Sequence, residues 1–398
     1  MASTPTARAG SLLPQPSGYS AFVPAPLPPE PPLELDLGTI TLLSEADRAL
    51  GRLDGMVKTV PDPDFFVGMY VRREAVLSSQ IEGTQSTLED LLAVELEPAA
   101  RTVPDDVEEI VNYVSAMNQG LKRLDELPLS LRLIREIHRT LLRGGRGTQA
   151  TPGEFRTTQN WIGPAGSTLA DATFVPPPPP EMNRALFAFE KHLHADRALP
   201  MLVDIGLAHA QFESIHPFLD GNGRVGRLLI TFMLVQREAL RAPLLYLSLY
   251  FRAHRAEYYE RLTAIRGRGD WEGWIRFFLR GVASTAREAA ETAERIFDLR
   301  EHHRGQVIEQ QMGQNALRLI SLLFARPIVN VKLVQIELGV AWATANKLIG
   351  QLEELGVVRE ITGQKRSRVF RYDPYLDLFD EPAGGADETQ TELTESAK

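Results

Sequence analysis

The stretch that decides the fold is residues 216–227, which read HPFLDGNGRVGR. The Gly-Asn-Gly triplet at 221–223 disfavours helix, and the run LLITFMLVQR at 228–237 is typical of a buried helix. The sequence therefore predicts a glycine-rich loop that leads into a helix N-terminus. Free backbone N–H groups and the helix dipole both favour an anion there, so we interpret the loop as a candidate phosphate cradle.

Charged side chains flank this loop in an order that suits nucleotide chemistry. Arg224 and Arg227 lie one turn apart at the predicted helix start, where cations oppose the dipole and are well placed to bind a polyphosphate. Asp220 is a hard oxygen ligand that could hold Mg²⁺ against bound phosphates. His216 is a candidate general base near neutral pH. Each feature alone is more often structural, but their order within one short stretch favours a functional site.

The stretch resembles the signature of the Fic family, HxFx(D/E)GNGRxxR, and matches it at every specified position. The resemblance covers roughly residues 35–290. It includes PGEFR at 152–156, FVPPPP at 174–179, EYYERL at 257–262 and WIRFFL at 274–279.

The resemblance implies a mainly α fold, in which a Fic-type helical core carries a short β-hairpin flap. It also implies an enzyme that transfers AMP from ATP to a Ser, Thr or Tyr hydroxyl of a protein, with Mg²⁺, and releases pyrophosphate. A relative that phosphorylates its target has lysine where this chain has Gly223, so the sequence fits nucleotidyl transfer better.

The resemblance also implies a role for each matching residue. His216 would deprotonate the attacking hydroxyl, Phe218 would pack the loop into the core, and Asp220 would bind Mg²⁺ between the α- and β-phosphates. The Asn222 side chain and the backbone at 221–223 would form an anion hole. The positions assigned to ATP and its phosphates are Gly221, Asn222, Gly223, Arg224, Val225, Gly226, Arg227 and Tyr259.

Two further segments receive roles from the same resemblance. Residues 153–180, with a short strand predicted at 173–175, would be a flap that holds the target segment beside the α-phosphate by strand-like pairing. Tyr258 and Tyr259 fall where the family binds the adenine side of the nucleotide. Because a buried tyrosine is more often part of the core, we favour Tyr259 over Tyr258 as the ligand.

A second string, Ser78-Ser-Gln-Ile-Glu82-Gly83, matches the family's inhibitory motif [S/T]xxxE[G/N]. Ser78 and Glu82 are four residues apart, which places them on one face of a helix. The implied mechanism is that Glu82 pairs with Arg227 and keeps the γ-phosphate from its productive position. The same carboxylate could instead orient a water for the removal of AMP, and the sequence leaves both roles open.

Composition excludes several classes of function. The 398-residue chain has a net charge of −9 and no cysteine, which excludes disulfides, thiolate metal sites and cysteine nucleophiles. It is too acidic for a general polyanion binder. We see neither a signal peptide nor an apolar run that would suggest a membrane span, so we expect a soluble cytoplasmic protein without membrane partners.

The chain divides into five predicted regions. Nine prolines in the first 32 residues suggest an arm that cannot bury a core, and the acidic C-terminal tail is equally unlikely to pack. The regions are a disordered arm (1–32), an N-terminal helical region with the inhibitory helix (33–112), the Fic catalytic core (113–295), a winged helix-turn-helix (310–375) and a flexible tail (376–398).

The C-terminal region has the order helix, helix, helix and two strands around a basic turn, which is typical of a small α+β winged-helix domain. Residues 310–372 hold nine Lys or Arg and four Asp or Glu. The third helix carries Lys347 as its one basic residue and includes Glu353 and Glu354, which argues against strong major-groove reading. The predicted wing residues that could hold phosphates are Lys365, Arg366 and Arg368.

Several readings of function remain open from the sequence. The winged helix could contact DNA, a target protein or a second copy of the chain, and the family resemblance weakly favours a homodimer. The target of AMP transfer could be another protein or the chain itself. The alternatives to an adenylyltransferase are a nucleotide-sensing transcription regulator that binds DNA and a hydrolase that removes AMP.

Overall fold

The structure is a computed structural model that describes residues 6–57, 63–96, 103–144, 150–164, 166–195 and 199–379. The chain divides into two units, residues 1–294 and 295–398. No helix in the described ranges is both long and apolar enough to cross a membrane.

The first unit is mainly helical, as the sequence predicts. Its helices are α1 (Leu37–Val57), α2 (Pro63–Ile81), α3 (Leu88–Leu96), α4 (Asp105–Leu124), α5 (Leu131–Leu141), α6 (Pro179–Leu193), α7 (Met201–Ile215), α8 (Asn222–Gln236), α9 (Ser248–Ala253) and α10 (Arg255–Arg268). Helix α11 (Trp271–Glu309) follows α10.

Helices α7 and α8 form the centre of this unit. Every residue of α7 from Leu202 to Ile215 is buried, and α8 is buried along nearly all of its length. A helix that is apolar on all sides belongs in the core, where other helices cover every face. The loop between α7 and α8 is residues 216–221. Because both helices are buried, the core fixes both ends of this loop.

The prediction of a disordered N-terminal arm is wrong for residues 6–32. Strands β1 (Gly10–Pro14) and β2 (Ser20–Pro24) form an antiparallel hairpin, with Leu12 opposite Phe22. Phe22 is buried, and the guanidinium of Arg8 pairs with Glu272 at 2.6 Å. The hairpin forms despite the high proline content because it packs against the rest of the first unit.

The predicted flap is present as a minimal hairpin. Its pairing is one antiparallel bridge, in which Ile162 and Phe174 exchange N–H to carbonyl hydrogen bonds of 2.8 and 3.0 Å. The Phe22 N–H donates to the carbonyl of Val175 at 2.9 Å. The N-terminal hairpin therefore adjoins the flap and supports its second arm.

The second unit has the predicted winged helix-turn-helix order. Its elements after α11 are α12 (Gln314–Ala325), β3 (Ile328–Asn330), α13 (Val331–Leu338), α14 (Trp342–Glu354), β4 (Arg359–Glu360), β5 (Val369–Arg371) and α15 (Asp373–Leu376). The three strands form one antiparallel sheet in the order β3-β5-β4. Strand β3 was missed because three residues give no local pattern, and it forms by pairing with the distant β5.

The C-terminal boundary of this unit lies beyond the predicted residue 375. Leu376 and Phe379 are buried, and the Phe379 ring meets the Tyr375 ring edge-on at 5.3 Å. The predicted flexible tail therefore does not include residues 376–379. Its remainder, 380–398, lies outside the described residues.

Candidate active site

The loop before α8 is shorter than predicted. Gly221 is the N-cap with φ +76°, and Asn222 and Gly223 are already helical. The Asn222 side chain closes the loop, because its Oδ1 accepts from the Phe218 N–H and its Nδ2 donates to the Phe218 carbonyl, both at 2.8 Å. The side chain expected in an anion hole is therefore engaged with Phe218, which is itself fully buried.

A residue that the sequence did not indicate, His138 on α5, also fixes this loop. Its ring stacks on Phe218 at 3.6 Å with an interplanar angle of 7°. The Gly153 N–H donates to His138 Nδ1 at 2.8 Å, so Nε2 carries the proton and donates to the Asp220 carbonyl at 3.0 Å. Burial lowers the pKa of His138 to about 4, which keeps the ring neutral. Its partners are backbone atoms of distant segments, so no sequence spacing could reveal it.

The structure brings the predicted inhibitory residues against both arginines. Arg227 Nε donates to Ser78 Oγ at 2.7 Å, and its Nη2 donates to the Ser78 carbonyl at 2.9 Å and to Glu82 Oε1 at 2.7 Å. Glu82 Oε2 lies 3.0 Å from Arg224 Nε. One carboxylate thus bridges two nearly fully buried guanidinium groups, where the sequence predicted a pair with Arg227 alone.

Glu82 lies directly over the N-terminal turn of α8. A Cβ atom at Gly223 would collide with Glu82 Oε1, so this close approach depends on glycine. The carboxylate occupies the position at which the helix dipole and the free N–H groups favour an anion. In this arrangement Glu82 therefore occupies the candidate phosphate cradle.

The turn after α2 places Glu82 over the N-terminus of α8. Helix α2 ends at Ile81, and Gly83 follows Glu82 with φ +106°, a conformation that glycine adopts without strain. The Glu82 N–H donates to the Ser79 carbonyl at 3.0 Å, and the Thr84 N–H donates to the same carbonyl at 3.3 Å. The predicted glycine thus lets the chain reverse immediately behind the inhibitory carboxylate.

The charges of this cluster stabilise one another. Burial raises the pKa of Glu82, but the guanidinium groups of Arg224 and Arg227 outweigh burial and hold that pKa below its usual value. For Arg227, burial opposes the charge, yet Glu82 raises its pKa above the ordinary value. The Glu82 carboxylate and the Arg227 guanidinium are therefore both charged at neutral pH.

A second carboxylate, which the sequence did not indicate, also contacts Arg224. Glu109 on α4 places its Oε2 3.3 Å from Arg224 Nη1, and Thr84 Oγ1 donates to the same oxygen at 3.4 Å. Glu109 lies outside both recognised motifs, and the packing of α4 beside α8 brings it to the site.

Asp220 is placed where a metal-binding carboxylate beside phosphates could act. Its side chain is 51% exposed, its Oδ1 accepts from the Gly221 N–H at 2.6 Å, and its Oδ2 lies 3.5 Å from Arg224 Nη2. No group of three or more His, Cys, Asp or Glu that could hold a metal is present in the described ranges. The donor set fits Mg²⁺ that takes one protein carboxylate and completes its shell with phosphates and water.

His216 ends α7 in an uncommon backbone conformation with φ +49° and ψ 60°. Its Nδ1 is buried and has no hydrogen-bond partner among the described residues. Burial, with the charges of Arg266 and Arg156, lowers the pKa of His216 to about 3. The ring is therefore neutral, as a base must be, although its pKa lies well below the near-neutral value we expected.

Val225 and Gly226 face the core instead of the loop. Val225 is fully buried, and the Gly226 carbonyl accepts from His209 Nδ1–H at 2.9 Å. A Cβ atom at Gly226 would lie 2.5 Å from Glu213 Oε1, so glycine is needed here for helix packing. The structure does not bring these two positions to the candidate phosphate cradle, in contrast to the prediction.

The two tyrosines differ in exposure and in their partners. Tyr258 is buried and its hydroxyl donates to His209 Nε2 at 2.9 Å, which is a core arrangement. Tyr259 is 42% exposed, and Arg255 lies over its ring at 5.7 Å. Of the pair, Tyr259 has the ring face and hydroxyl that a ligand could reach.

Comparisons with protein families agree with the two-unit architecture. Residues 40–122 match the model described as Fic/DOC family N-terminal, and residues 128–234 match the Fic/DOC family model. Residues 317–370 match a model described as an HTH DNA binding domain.

Curated relatives and solved structures point to the same family. The chain is 30% identical over 221 residues to the protein adenylyltransferase Fic of Culex quinquefasciatus, which covers 54% of this chain and 37% of that protein. It is 30% identical over 197 residues to the protein of the same name from Drosophila grimshawi, covering 49% and 36%. The chain thus spans just over a third of the length of these relatives.

Among solved structures, a Fic family protein from Desulfovibrio desulfuricans G20 aligns with a TM-score of 0.55 at 19% identity. The alignment covers 86% of this chain and 97% of that one, and at this identity it shows a shared fold. Together with the complete match to the signature at residues 216–227, these comparisons show that the chain carries both domains of the Fic/DOC family, followed by a helix-turn-helix domain.

Proposed function

We propose that this chain is a protein adenylyltransferase that transfers AMP from ATP to a hydroxyl of a protein and that is held inactive by Glu82. The observation that carries the proposal is the Glu82 carboxylate bound between Arg224 and Arg227 over the N-terminus of α8. This site binds an anion between two arginines and lies beside an exposed aspartate and a neutral histidine. The combination is suited to a nucleoside triphosphate. The names of the relatives support adenylyl transfer as the reaction.

In the proposed reaction, the phosphates of ATP replace the Glu82 carboxylate at the α8 N-terminus. Arg224 and Arg227 bind phosphate oxygens and neutralise the charge that develops on the leaving pyrophosphate. Asp220 is the residue that would hold Mg²⁺, which when bound supplies charge neutralisation between neighbouring phosphates. Gly223 has no side chain that would block the same position.

His216 moves the proton in this scheme. It accepts the proton of the target hydroxyl while that oxygen bonds to the α-phosphorus, and the bond from the α-phosphorus to the bridging oxygen breaks, so pyrophosphate leaves with its electron pair. The negative charge of the bound triphosphate raises the pKa of His216 from its low value in the absence of nucleotide. Nucleotide binding thereby makes the histidine a stronger base.

The inhibitory role of Glu82 follows from charge. The γ-phosphate and the Glu82 carboxylate cannot both bind Arg227, because two anions beside the same guanidinium would repel each other. ATP that binds with Glu82 in place is held away from the in-line geometry that transfer requires. The flap, residues 153–180, would hold the target segment by backbone pairing beside the α-phosphate.

The first experiment measures label transfer from [α-³²P]ATP with Mg²⁺ to the chain itself. Glu82→Gly should incorporate at least about ten times more label than the wild type, because it frees both arginines from a charge-assisted contact. Glu82→Gln keeps the size of the side chain and should give an intermediate rate. Glu82→Gly/His216→Ala should lose the label and retain ATP binding.

Two results would contradict the proposal. An unchanged or lower rate in Glu82→Gly would refute inhibition by this residue, and lost ATP binding in the double variant would make His216 structural. If none of the variants takes up label, a target protein carrying labelled AMP tests the alternative hydrolase activity, in which Glu82 orients a water.

We also propose that the second unit contacts DNA phosphates through the wing between β4 and β5. Lys365 and Arg366 are exposed there, and the matching family model is described as DNA-binding. A transcription regulator that senses nucleotide remains the alternative function, which salt-dependent DNA binding without any AMP transfer would favour. The cytoplasmic location and the homodimer remain predictions.

A further inference from the structure

The flap contains a buried cation that the proposed mechanism does not use. Arg156 is 2% exposed, and no ion pair to it is present among the described residues. Burial lowers its pKa to about 10, so it is still charged at neutral pH. A buried guanidinium without a carboxylate is costly unless its N–H groups are satisfied by other acceptors.

The acceptors of Arg156 are backbone carbonyls from three segments. Its Nε donates to the His216 carbonyl at 3.0 Å, Nη1 to the Thr158 carbonyl at 3.2 Å and Nη2 to the Pro177 carbonyl at 2.6 Å. Its own N–H donates to the Pro217 carbonyl at 2.9 Å. One side chain thus joins the first arm of the flap, the second arm of the flap and the backbone of the candidate base.

The hydrogen bonds of Arg156 hold the backbone at His216, which has an uncommon conformation. A non-glycine residue with φ +49° is strained and persists only where its surroundings hold it. Here the carbonyls of His216 and of Pro217 both accept hydrogen bonds from Arg156. This arginine therefore holds the backbone on the C-terminal side of the imidazole.

The geometry points to Arg156 as a positioning residue that holds His216 in its left-handed conformation and connects that conformation to the closure of the flap. The inference rests on the proposed function, in which His216 is the base and the flap holds the target. Arg156 acts through His216 and does not touch the reacting atoms.

The charges around His216 give the inference a second observable. The cations that face the imidazole are Arg266 from α10 and Arg156 from the flap, and both lower the pKa of His216. With Arg156 neutralised, one of two repelling cations is lost and the pKa of His216 rises. The pH below which the base is protonated and inactive would then move upward.

The experiment compares Arg156→Gln and Arg156→Lys in the Glu82→Gly background. In both, we expect kcat for label transfer to fall at least about tenfold with KM for ATP within about twofold, because the phosphate contacts are untouched. In Arg156→Gln the acid limb of kcat should move to higher pH by about one unit, whereas Arg156→Lys keeps the charge and should leave the limb in place.

The titration of His216 is read independently of activity by NMR of the full chain labelled at histidine Cε1, with His216→Gln identifying the signal. The midpoint should rise by about one pH unit or more in Arg156→Gln and should not change in Arg156→Lys. The matched control is Arg135→Gln, which loses a hydrogen bond to the Gly153 carbonyl in the same segment but does not contact His216. It should resemble the parent in both measurements.

The outcomes separate this inference from the proposed function. No label in the Glu82→Gly parent would count against the chain as its own target, while the NMR titration would still test the link between Arg156 and His216. Parent-like kcat in Arg156→Lys together with an unmoved His216 signal in Arg156→Gln would overturn the inference. If Arg156→Gln does not fold, parent-like kcat in Arg156→Lys is sufficient to overturn it.

Discussion

Three carboxylate groups lie near the guanidinium of Arg224, and Glu82 is only one of them. Glu82, Glu109 and Asp220 place carboxylate oxygens 3.0, 3.3 and 3.5 Å from its guanidinium nitrogens. The arginine is nearly fully buried, so these contacts are screened less than those at an open surface. A phosphate that binds Arg224 must therefore compete with Glu109 even after Glu82 has been removed.

We predict that Glu109→Gln in the Glu82→Gly background lowers the Kd for ATP by about two- to fivefold, as expected for loss of a competing ion pair of roughly 0.5–1 kcal/mol. Calorimetric titration with ATP measures the effect. Glu108→Gln is the matched control, since it removes one charge from the neighbouring position without a contact to Arg224. Equal effects of both variants would show a general charge effect and would contradict a specific competition.

At the scale of elements, the packing of α7 against α8 buries a carboxyl group next to the site. Glu213 is 6% exposed, and its Oε1 has no hydrogen-bond partner among the described residues. Burial raises the pKa of Glu213 to about 7, and Arg227 and Arg266 only partly oppose that rise. The missing side chain at Gly226 provides the space for this carboxyl between the two helices.

The raised pKa of Glu213 predicts that the free energy of unfolding depends on pH. Between about pH 4.5 and 7 the folded state binds more protons at Glu213 than the unfolded state, so its contribution to stability is lost as pH rises through this range. Glu213→Gln should therefore gain stability relative to the wild type from pH 5 to 7, by at most about 3 kcal/mol, and then level off. Urea unfolding at several pH values tests this, with the exposed Glu260→Gln as control. A constant difference across the range would contradict the prediction.

At the scale of the whole molecule, the chain combines an acidic first unit with a basic wing in the second. The Arg368 side chain already has partners within the second unit. Its Nη2 donates to Asn346 Oδ1 at 3.0 Å, and its guanidinium lies over the Phe370 ring at 5.0 Å. Lys365 and Arg366 are the exposed cations of the same turn. They are therefore the wing residues best placed for phosphates.

Arg366→Ala should weaken binding to duplex DNA to a similar extent for different sequences and reduce the slope of log K against log salt by about one, as expected for loss of one phosphate contact. Fluorescence anisotropy over a salt series measures both quantities. Arg318→Ala, an exposed arginine on α12, is the control. A loss of the same size in both variants would contradict a contact through the wing, and AMP transfer should be unaffected in either.

Local residue order was sufficient to predict much of the site. The order of His216, Asp220, the glycines and the two arginines lies within twelve residues, so helix periodicity alone places both arginines at the start of α8. The inhibitory motif could be identified by resemblance, and its contact with Arg227 is present. Val225 and Gly226, which were also assigned to the phosphates, face the core, because a spacing does not tell which face of a helix meets its neighbour.

The sequence by itself determined the helical composition, the two-unit order and the candidate phosphate cradle, because each depends on residues close together in the chain. Tertiary structure alone decided that Arg156 holds His216, that His138 holds the Asp220 carbonyl and that Glu109 reaches Arg224, across 60, 82 and 115 residues. It also decided that His216 is neutral, since a pKa depends on burial and on charges from distant segments. These contacts follow from the packing of helices, which no local pattern specifies.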